Sequence, residues 1–397
     1  MFAKSNNHIC ISFTDDIIRV VEVKGTGASA KVTRVSSRDV KGLSELDLPK
    51  VIRSAVSGFN LKASTVITLV PSNSVTTKNI EIPSTNPEEI KSIVSLQAGR
   101  HTPFSREEIQ IGYINLGVFK PGFSKVLLVI ANKGTLRKQM AAFEKAGMKI
   151  KKTVFAPESI ANFYAQVINL TDSSKVVGII DVGNSSTDLI IALNGKALST
   201  RNIAIGKSQL SMEGPGAKDR LLDEIKKTVD SYQSEDIAQL PAQYVLTTDD
   251  VNTKEIQESL KSKFGWESRI AAYLDGVKTA PDVSKKLSME FSSSSFLDVI
   301  SSALCAGSLQ VNLVPEEFEL QKSIEDQGKE VFRMFALGFI CLVLFACMLY
   351  IKIYFRDSAL KSLKEKYKGT HNEVVNLENK NINAMVMEKF LASRMVS

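Results

Sequence analysis

The stretch "VVGIIDVGNSSTDLIIALNG", residues 176–195, decides the fold. A β-branched apolar run leads to Asp181, then Gly183 and the hydroxyl-rich Ser185, Ser186 and Thr187. A second apolar run ends in Asn194-Gly195, a dipeptide suited to a tight hairpin. The pattern predicts two buried strands joined by a small-residue turn. Glycine lets such a turn bring backbone N–H groups close to an anion, and the aspartate can hold the waters of a metal ion. These five residues are the candidate phosphate turn.

Outward from that hairpin, strand pairs alternate with helices. "HICISFTDDIIRVVEVKG" at the amino end reads as a β-hairpin, and "VIRSAVSGF" as a short amphipathic helix. "STVITLVPSNSVTTKNIEIP" contains two further strands. Asn86 and Pro87 open a helix that stops before Pro103, and "SKVLLVIANKGTLRKQMAAFEKAGM" is a strand followed by a helix closing at Gly147. Residues 217–233 form another helix, "QYVLTTDD" a buried strand opening into a loop, and residues 254–266 a helix. Gly214, Pro215 and Gly216 mark a tight connection and Ser292 to Ser295 a loop. This order indicates an α/β domain in two similar halves.

The composition, 44% hydrophobic and 23% charged over 397 residues, is that of an ordinary globular protein with one exception. "MFALGFICLVLFACMLYI", residues 334–351, is uncharged, apolar on every face and flanked by Arg333, Lys352 and Arg356, which reads as one transmembrane helix. Beyond it Leu360, Leu363, Tyr367, Val374, Leu377 and Leu391 recur at coiled-coil spacing, interrupted at Gly369, as a docking stalk that we expect to continue into a longer protein. Lys352, Arg356, Lys361, Lys364 and Lys366 outnumber Lys322, Lys329 and Arg333, so the charge rule favours a cytoplasmic carboxyl end. The amino-terminal part is large and carries no signal peptide, so we place it in the cytoplasm against that rule. The four cysteines, Cys10, Cys305, Cys341 and Cys347, suit reduced thiols. The net charge of +7 is dispersed without a basic stripe, which argues against nucleic acid.

The succession of features resembles PilM, the actin-like cytoplasmic protein of type IV pilus assembly, and the cytoplasmic part of GspL of type II secretion. The resemblance rests on the hairpin ending "VVEV", on "GRHTPFSREEI", "LLVIANKGTL" with "AGM", "IIDVGNSSTDLIIALNG" and "SALCAG". "QVNLVPEE", followed by a span and a coiled coil, resembles the start of PilN proteins, whose short peptide docks on PilM. The resemblance implies an actin-like (ribonuclease H-like) domain over residues 1–308 and a linker over 309–333 carrying a docking segment, Asn312, Leu313, Val314 and Pro315. A membrane helix follows over 334–351, then a periplasmic coiled-coil stalk over 352–397. In that segment Pro315 stiffens an extended chain, Val311 and Leu313 face one way, and Asn312 can bond backbone. Implied partners are a PilO- or GspM-like membrane protein, a cytoplasmic motor ATPase, the bacterial inner membrane and a coiled-coil oligomer.

The nucleotide elements of that family are altered. Ser12 and Thr14 stand where the first turn has Asp and Gly, and Asp15 and Asp16 fall on its small positions. Carboxylates facing a triphosphate repel it strongly where the effective dielectric is low. Thr247 and Thr248, followed by Asp249 and Asp250, replace the glycines of the adenosine turn. "IGKSQ" replaces an Ile-Gly-Gly turn, and the second small subdomain is reduced. We therefore expect a scaffold with no catalytic residue, no metal and no cofactor. The alternatives are an ATP- and magnesium-binding actin-family ATPase, and a cell-division protein of the FtsA type, which has an amphipathic helix in place of a span.

Overall fold

The computed structural model describes residues 7–14, 16–25, 29–44, 46–169, 175–233, 239–248, 250–290 and 295–394. The chain divides into two units, Met1–Glu316 and Glu317–Ser397.

The first unit is built on two sheets of one pattern. In the first sheet β1 (Asn7–Phe13) pairs antiparallel with β2 (Ile17–Lys24), and β2 with β3 (Lys31–Asp39). On the other side of β1 lie β4 (Thr65–Val70) and β8 (Lys152–Phe155), both parallel, with β8 at the edge. The second sheet repeats this arrangement. There β9 (Val177–Val182), β10 (Thr187–Leu193) and β11 (Lys196–Ile203) are antiparallel neighbours, while β12 (Gln243–Leu246) and β13 (Ser268–Ile270) add parallel to β9. Asn194 and Gly195 adopt φ of 48° and 75°, the left-handed pair needed to turn β10 into β11. A short strand, β14 (Lys278–Thr279), joins β3 at the far edge of the first sheet.

Helix α4 (Ala156–Gln166) and helix α9 (Leu297–Leu304) supply much of the shared core. From Ala156 to Tyr164 every α4 side chain is buried, which is why this helix lacks a polar face. One core cluster joins Cys10, Ile67 and Val154 of the first sheet, Ile160 and Phe163 of α4, Ile300 of α9 and Ile179 and Ile190 of the second sheet. The lobes are thus packed through a common apolar layer.

Between β4 and β8 the chain inserts a third, antiparallel sheet in the order β5 (Val75–Ile82), β7 (Phe123–Asn132), β6 (Ile109–Lys120). Helix α2 (Pro87–Gln97) covers it, capped by the Asn86 side chain, which accepts the Glu88 N–H at 2.9 Å. Helix α1 (Leu48–Ala55) and helix α3 (Lys133–Lys145) complete this half. In the other half a seven-residue helix, α5 (Lys207–Glu213), is all that separates β11 from α6 (Pro215–Gln233), so the second small subdomain is reduced. Helix α7 (Val251–Phe264) precedes β13, and α8 (Pro281–Lys285) follows β14.

Two boundaries differ from the sequence expectation. The first unit runs to Glu316 and not to residue 308, because residues 309–315 pack into it. Helix α10 (Glu316–Arg394) then continues for 79 residues, about 120 Å at 1.5 Å per residue, passing Gly369 without a break. A lone glycine lowers helix propensity by only about 1 kcal/mol, too little to stop a helix of this length. The described side chains of α10 from Val331 onward are exposed, and the helix contains an 18-residue window of mean hydropathy 2.6, long and apolar enough to cross a membrane.

Gly178 on β9 shows how tightly the second lobe is closed. A Cβ there would lie 2.4 Å from Cδ1 of Tyr244, whose ring stacks on Trp266 at 4.6 Å and has no room to retreat. Gly178→Ala is expected to cost about 1–3 kcal/mol. The lowered denaturation midpoint is readable in the fluorescence of Trp266, the single tryptophan. An unchanged midpoint would show that the ring has space.

Candidate functional site

The two hairpins place their turns in the same register, and this exposes how far they have diverged. In the second hairpin Asp181 faces Asp188 across the β9–β10 ladder, one pair back from the turn. In the first, the same place is held by Ser12 facing Arg19. A carboxylate pair in one lobe thus corresponds to a hydroxyl and a guanidinium in the other.

Arg19 fills the space beside its turn. Its Nη2 donates to the Asp298 carboxylate at 2.7 Å and to Ser12 Oγ at 3.2 Å, and its Nη1 donates to the Ser295 carbonyl. The ion-paired side chains of Arg19 and Asp298 are 12% and 17% exposed, so the pair is well removed from water. Breaking such a pair from one side leaves an uncompensated charge, which is more damaging than the pair is stabilising. Thr14 closes the turn: its N–H and its Oγ1 both donate to the Ile17 carbonyl at 3.1 Å. Asp16 is exposed and its carbonyl accepts the Val40 N–H at 2.8 Å, while Asp15 lies outside the described residues.

The second turn keeps its shape but is sealed by helix α5. Gly183 N–H donates to the Ser186 carbonyl at 2.9 Å. The carbonyls of Gly183 and Asn184 accept the N–H groups of Lys207 and Ser208 at 2.9 and 3.0 Å, satisfying the first turn of α5. A Cβ on Gly206 would lie 2.5 Å from the Asn184 carbonyl oxygen, so this close approach requires glycine. Asn202 donates to Ser186 Oγ at 3.0 Å and to Asp188 at 2.6 Å, and Thr187 Oγ1 donates to the Ile205 carbonyl at 2.7 Å. Ser185 sits exposed at the tip. The predicted turn residues are therefore assembled together, with Ser186 and Thr187 already engaged by the protein itself.

Asp181 is raised from its ordinary 3.8 to about 6, chiefly because it is buried. Thr247 Oγ1 donates to it at 2.5 Å and opposes that rise, while Asp188 and Asp298 add to it. Asp188 is raised for the same reason, although Ser72 of the other lobe and Asn202 donate to it.

At the expected adenosine turn the threonines are structural. Thr247 is fully buried, and Thr248 Oγ1 lies 3.0 Å from Thr253 Oγ1. Asp250 caps α7 by accepting the Thr253 N–H at 2.9 Å and pairs with Lys207 at 2.7 Å. Burial would raise Asp250, but the bonds from Lys207 and Thr253 outweigh it and hold the group below its usual value. Asp249 lies outside the described residues.

A second built site holds residues 309–315. Val311 and Leu313 are fully buried and Val314 is 4% exposed. Both buried chains lie over Gly112 of β6, where an added Cβ would meet Val311 Cγ1 at 2.8 Å and Leu313 Cδ2 at 3.2 Å. Asn312 Oδ1 accepts the Thr153 N–H at 3.1 Å, and Leu313 N–H donates to the Thr153 carbonyl at 2.8 Å, in the manner of a strand added to the edge of β8. Gln110 Nε2 donates to the Val314 carbonyl at 3.1 Å, and Pro315 is buried. Lys152 Nζ donates to the Leu309 carbonyl, and Glu158 of α4 accepts the N–H groups of Gln310 and Val311 at 2.6 and 3.1 Å. Asn312, Leu313, Val314 and Pro315 are thus brought together in one groove.

Sequence reading missed Arg19, Lys207, Gly112 and Glu158. Glu158 left a signal: it is the one charged residue between Thr153 and Asn169. An isolated acid in an apolar helix calls for a partner. Arg19 left a weaker one, as the cation inside the strand "IIRVVEV".

Residues 18–213 match the sequence profile of the family described as type IV pilus assembly protein PilM. Among solved structures, the chain is similar to that of a PilM–PilN type IV pilus biogenesis complex, at 16% identity and a TM-score of 0.62, covering 75% of this chain and 97% of that one. It is also similar to the cytoplasmic domain of EpsL, an inner-membrane component of the type II secretion system of Vibrio cholerae. That match has 12% identity and a TM-score of 0.39 over 76% of this chain and 99% of the other. A protein of Bacteroides thetaiotaomicron with an actin-like ATPase fold matches at 14% identity and a TM-score of 0.42, over 69% of this chain and 93% of that one. The fold is the two-lobed actin-like fold. More narrowly, residues 18–213 carry the match to the PilM family of type IV pilus assembly proteins.

The Asp181 environment gives a pH signature. Below its unfolded value of 3.8 the carboxyl is protonated in both states, and above about 6 it is ionised in both at a cost to the fold. Stability from this group is therefore lost as pH rises from about 4 to 6, by an amount on the order of 3 kcal/mol. Asp181→Asn keeps an acceptor for Thr247 and removes that dependence. Denaturation midpoints of the two proteins, followed at Trp266, are expected to agree near pH 4 and to diverge in favour of the variant above pH 6. Parallel profiles would contradict this.

Proposed function

We propose that this protein is a membrane-anchored assembly-platform scaffold of a type IV pilus or type II secretion machine, and not an enzyme. The observation that carries the reading is the strap at residues 309–315. It is seated in a groove of the actin-like unit and passes at Glu316 directly into the helix that holds the apolar run. The docking segment and that helix are consecutive in the chain, so in this reading what happens to the helix is relayed to Pro315 and Val314. In this reading the actin-like unit lies in the cytoplasm and engages the motor ATPase. The part of α10 after the span carries Leu360, Leu363 and Tyr367 on its exposed surface for a coiled-coil partner of the PilO or GspM kind, or for a second copy.

The cleft supports a scaffold more than an ATPase. Arg19 and Asp298 satisfy each other beside one turn, and Lys207 and Asp250 pair near the other. A triphosphate with magnesium would have to displace both pairs and approach Asp181, Asp188 and Asp298 from a lobe whose first turn lacks a metal-binding aspartate. The competing reading, a nucleotide-binding member of the fold, draws on the intact second turn.

Two measurements test the proposal. The full chain in detergent micelles is expected to show no change in melting temperature with millimolar Mg-ATP, since a genuine ligand of the native state must stabilise it. A rise of several degrees would assign the cleft a nucleotide. Immobilised full chain is expected to retain the purified cytoplasmic motor ATPase of its own machine, and failure to do so in several nucleotide states of the motor would remove the coupling role.

A further inference from the structure

The groove that holds the strap carries a rule for what can enter it. Glu158 is 1% exposed and stands at the start of α4. Its two oxygens are used separately, Oε1 by the Gln310 N–H at 2.6 Å and Oε2 by the Val311 N–H at 3.1 Å. A buried carboxylate accepting from charge-neutral donors forms short, strong bonds, and it is costly if those donors are withdrawn. Lys152 works beside it in the opposite sense, donating to the Leu309 carbonyl, so three consecutive residues are read through their backbone. Burial raises Glu158, and the amides of Gln310 and Val311 together with Lys152 hold that rise back.

The other wall reads shape. Gly112 leaves no space between β6 and the side chains of Val311 and Leu313, as the 2.8 Å approach to an added Cβ shows. The groove reads Asn312 through the Thr153 N–H, which Asn312 Oδ1 accepts at 3.1 Å, while the same oxygen accepts the N–H of Val314 at 3.3 Å within the strap and holds its shape. An extended segment that fits must offer two successive N–H groups, then an asparagine between apolar neighbours.

We propose that the groove is a backbone-reading peptide site whose selectivity is set by the Glu158 clasp. It accepts extended apolar segments bearing N–H groups at the positions of Gln310 and Val311 and rejects those with proline or an alkylated amide there. The chain's own strap occupies it, and so holds it closed to any partner segment of the same chemistry. This rests on reading Asn312, Leu313, Val314 and Pro315 as a docking element, and adds which groove atoms choose the occupant.

The experiment uses the full chain in detergent with Val311→Asp and Leu313→Asp, which unseats the strap by placing charges in the apolar floor. A fluorescent peptide of residues 308–316 is titrated against it, followed by the same peptide N-methylated at Val311, which removes one N–H and leaves the side chain. The expected result is saturable binding of the first and binding at least about tenfold weaker for the second. No binding of the unmodified peptide overturns the docking reading itself. Equal binding of the two peptides keeps docking and overturns the clasp. If the double variant does not fold, hydrogen exchange in the otherwise intact chain decides: Glu158→Gln is expected to speed exchange at Gln310 or Val311 by about tenfold or more while the β1 and β4 amides stay protected. Unchanged exchange at both positions overturns the clasp, and uniform acceleration overturns its local nature.

Discussion

A carboxylate buried away from water must find donors, and Glu158 finds them in the backbone of a segment about 150 residues further along the chain. Much of the first unit's organisation follows from this. The α4 helix has to be apolar on all sides because it lies within the shared core, so its one acid cannot turn to solvent. The strap that satisfies it also covers the free edge of β8, where Leu313 and Asn312 bond to the backbone of Thr153. An uncovered edge strand is a template for unwanted pairing, and here the chain supplies its own cover. The strap also packs Val311 and Leu313 on β6 of the inserted sheet. It thus touches the large sheet, the inserted sheet and the central helix, and it leads into the membrane-type helix.

The cleft shows the converse of a duplicated fold. Both lobes keep the same hairpin register because the antiparallel ladders are core structure. The residues one pair back from each turn are free of that requirement and have diverged in charge. Arg19 and Asp298 neutralise each other on one side, and on the other Asp181 and Asp188 are held by Thr247, Ser72 and Asn202. The polar groups beside both turns are thus bonded to one another. The Thr247 hydroxyl is spent on Asp181 and that of Thr248 on Thr253 at the entry of α7, so both belong to the protein's own bonding.

Several elements were legible from residue pattern alone. The hairpin around Asp181, the cap at Asn86 and the apolar run in α10 follow from local rules of periodicity and turn chemistry, which need no knowledge of distant residues. Other elements were not. The strand β8 is only four residues long, and α4 is apolar all round, so neither carries an amphipathic signature. The helix through Gly369 continues because its length outweighs one poor helix former. The strap could be suspected from its asparagine and proline, but Gly112, Glu158 and Thr153 come from three separate elements, and no spacing rule connects them to residue 312.

By itself the sequence determined the two-lobed α/β class, the apolar helix and the small-residue hairpin around Asp181, since each is a property of neighbouring residues. Only the tertiary structure decided that Arg19 stands against Asp298, that α5 seals the second turn and that the strap is clasped by Glu158. Those contacts join residues more than a hundred positions apart in two cases and meet through packing of the shared core, and burial is what makes them specific.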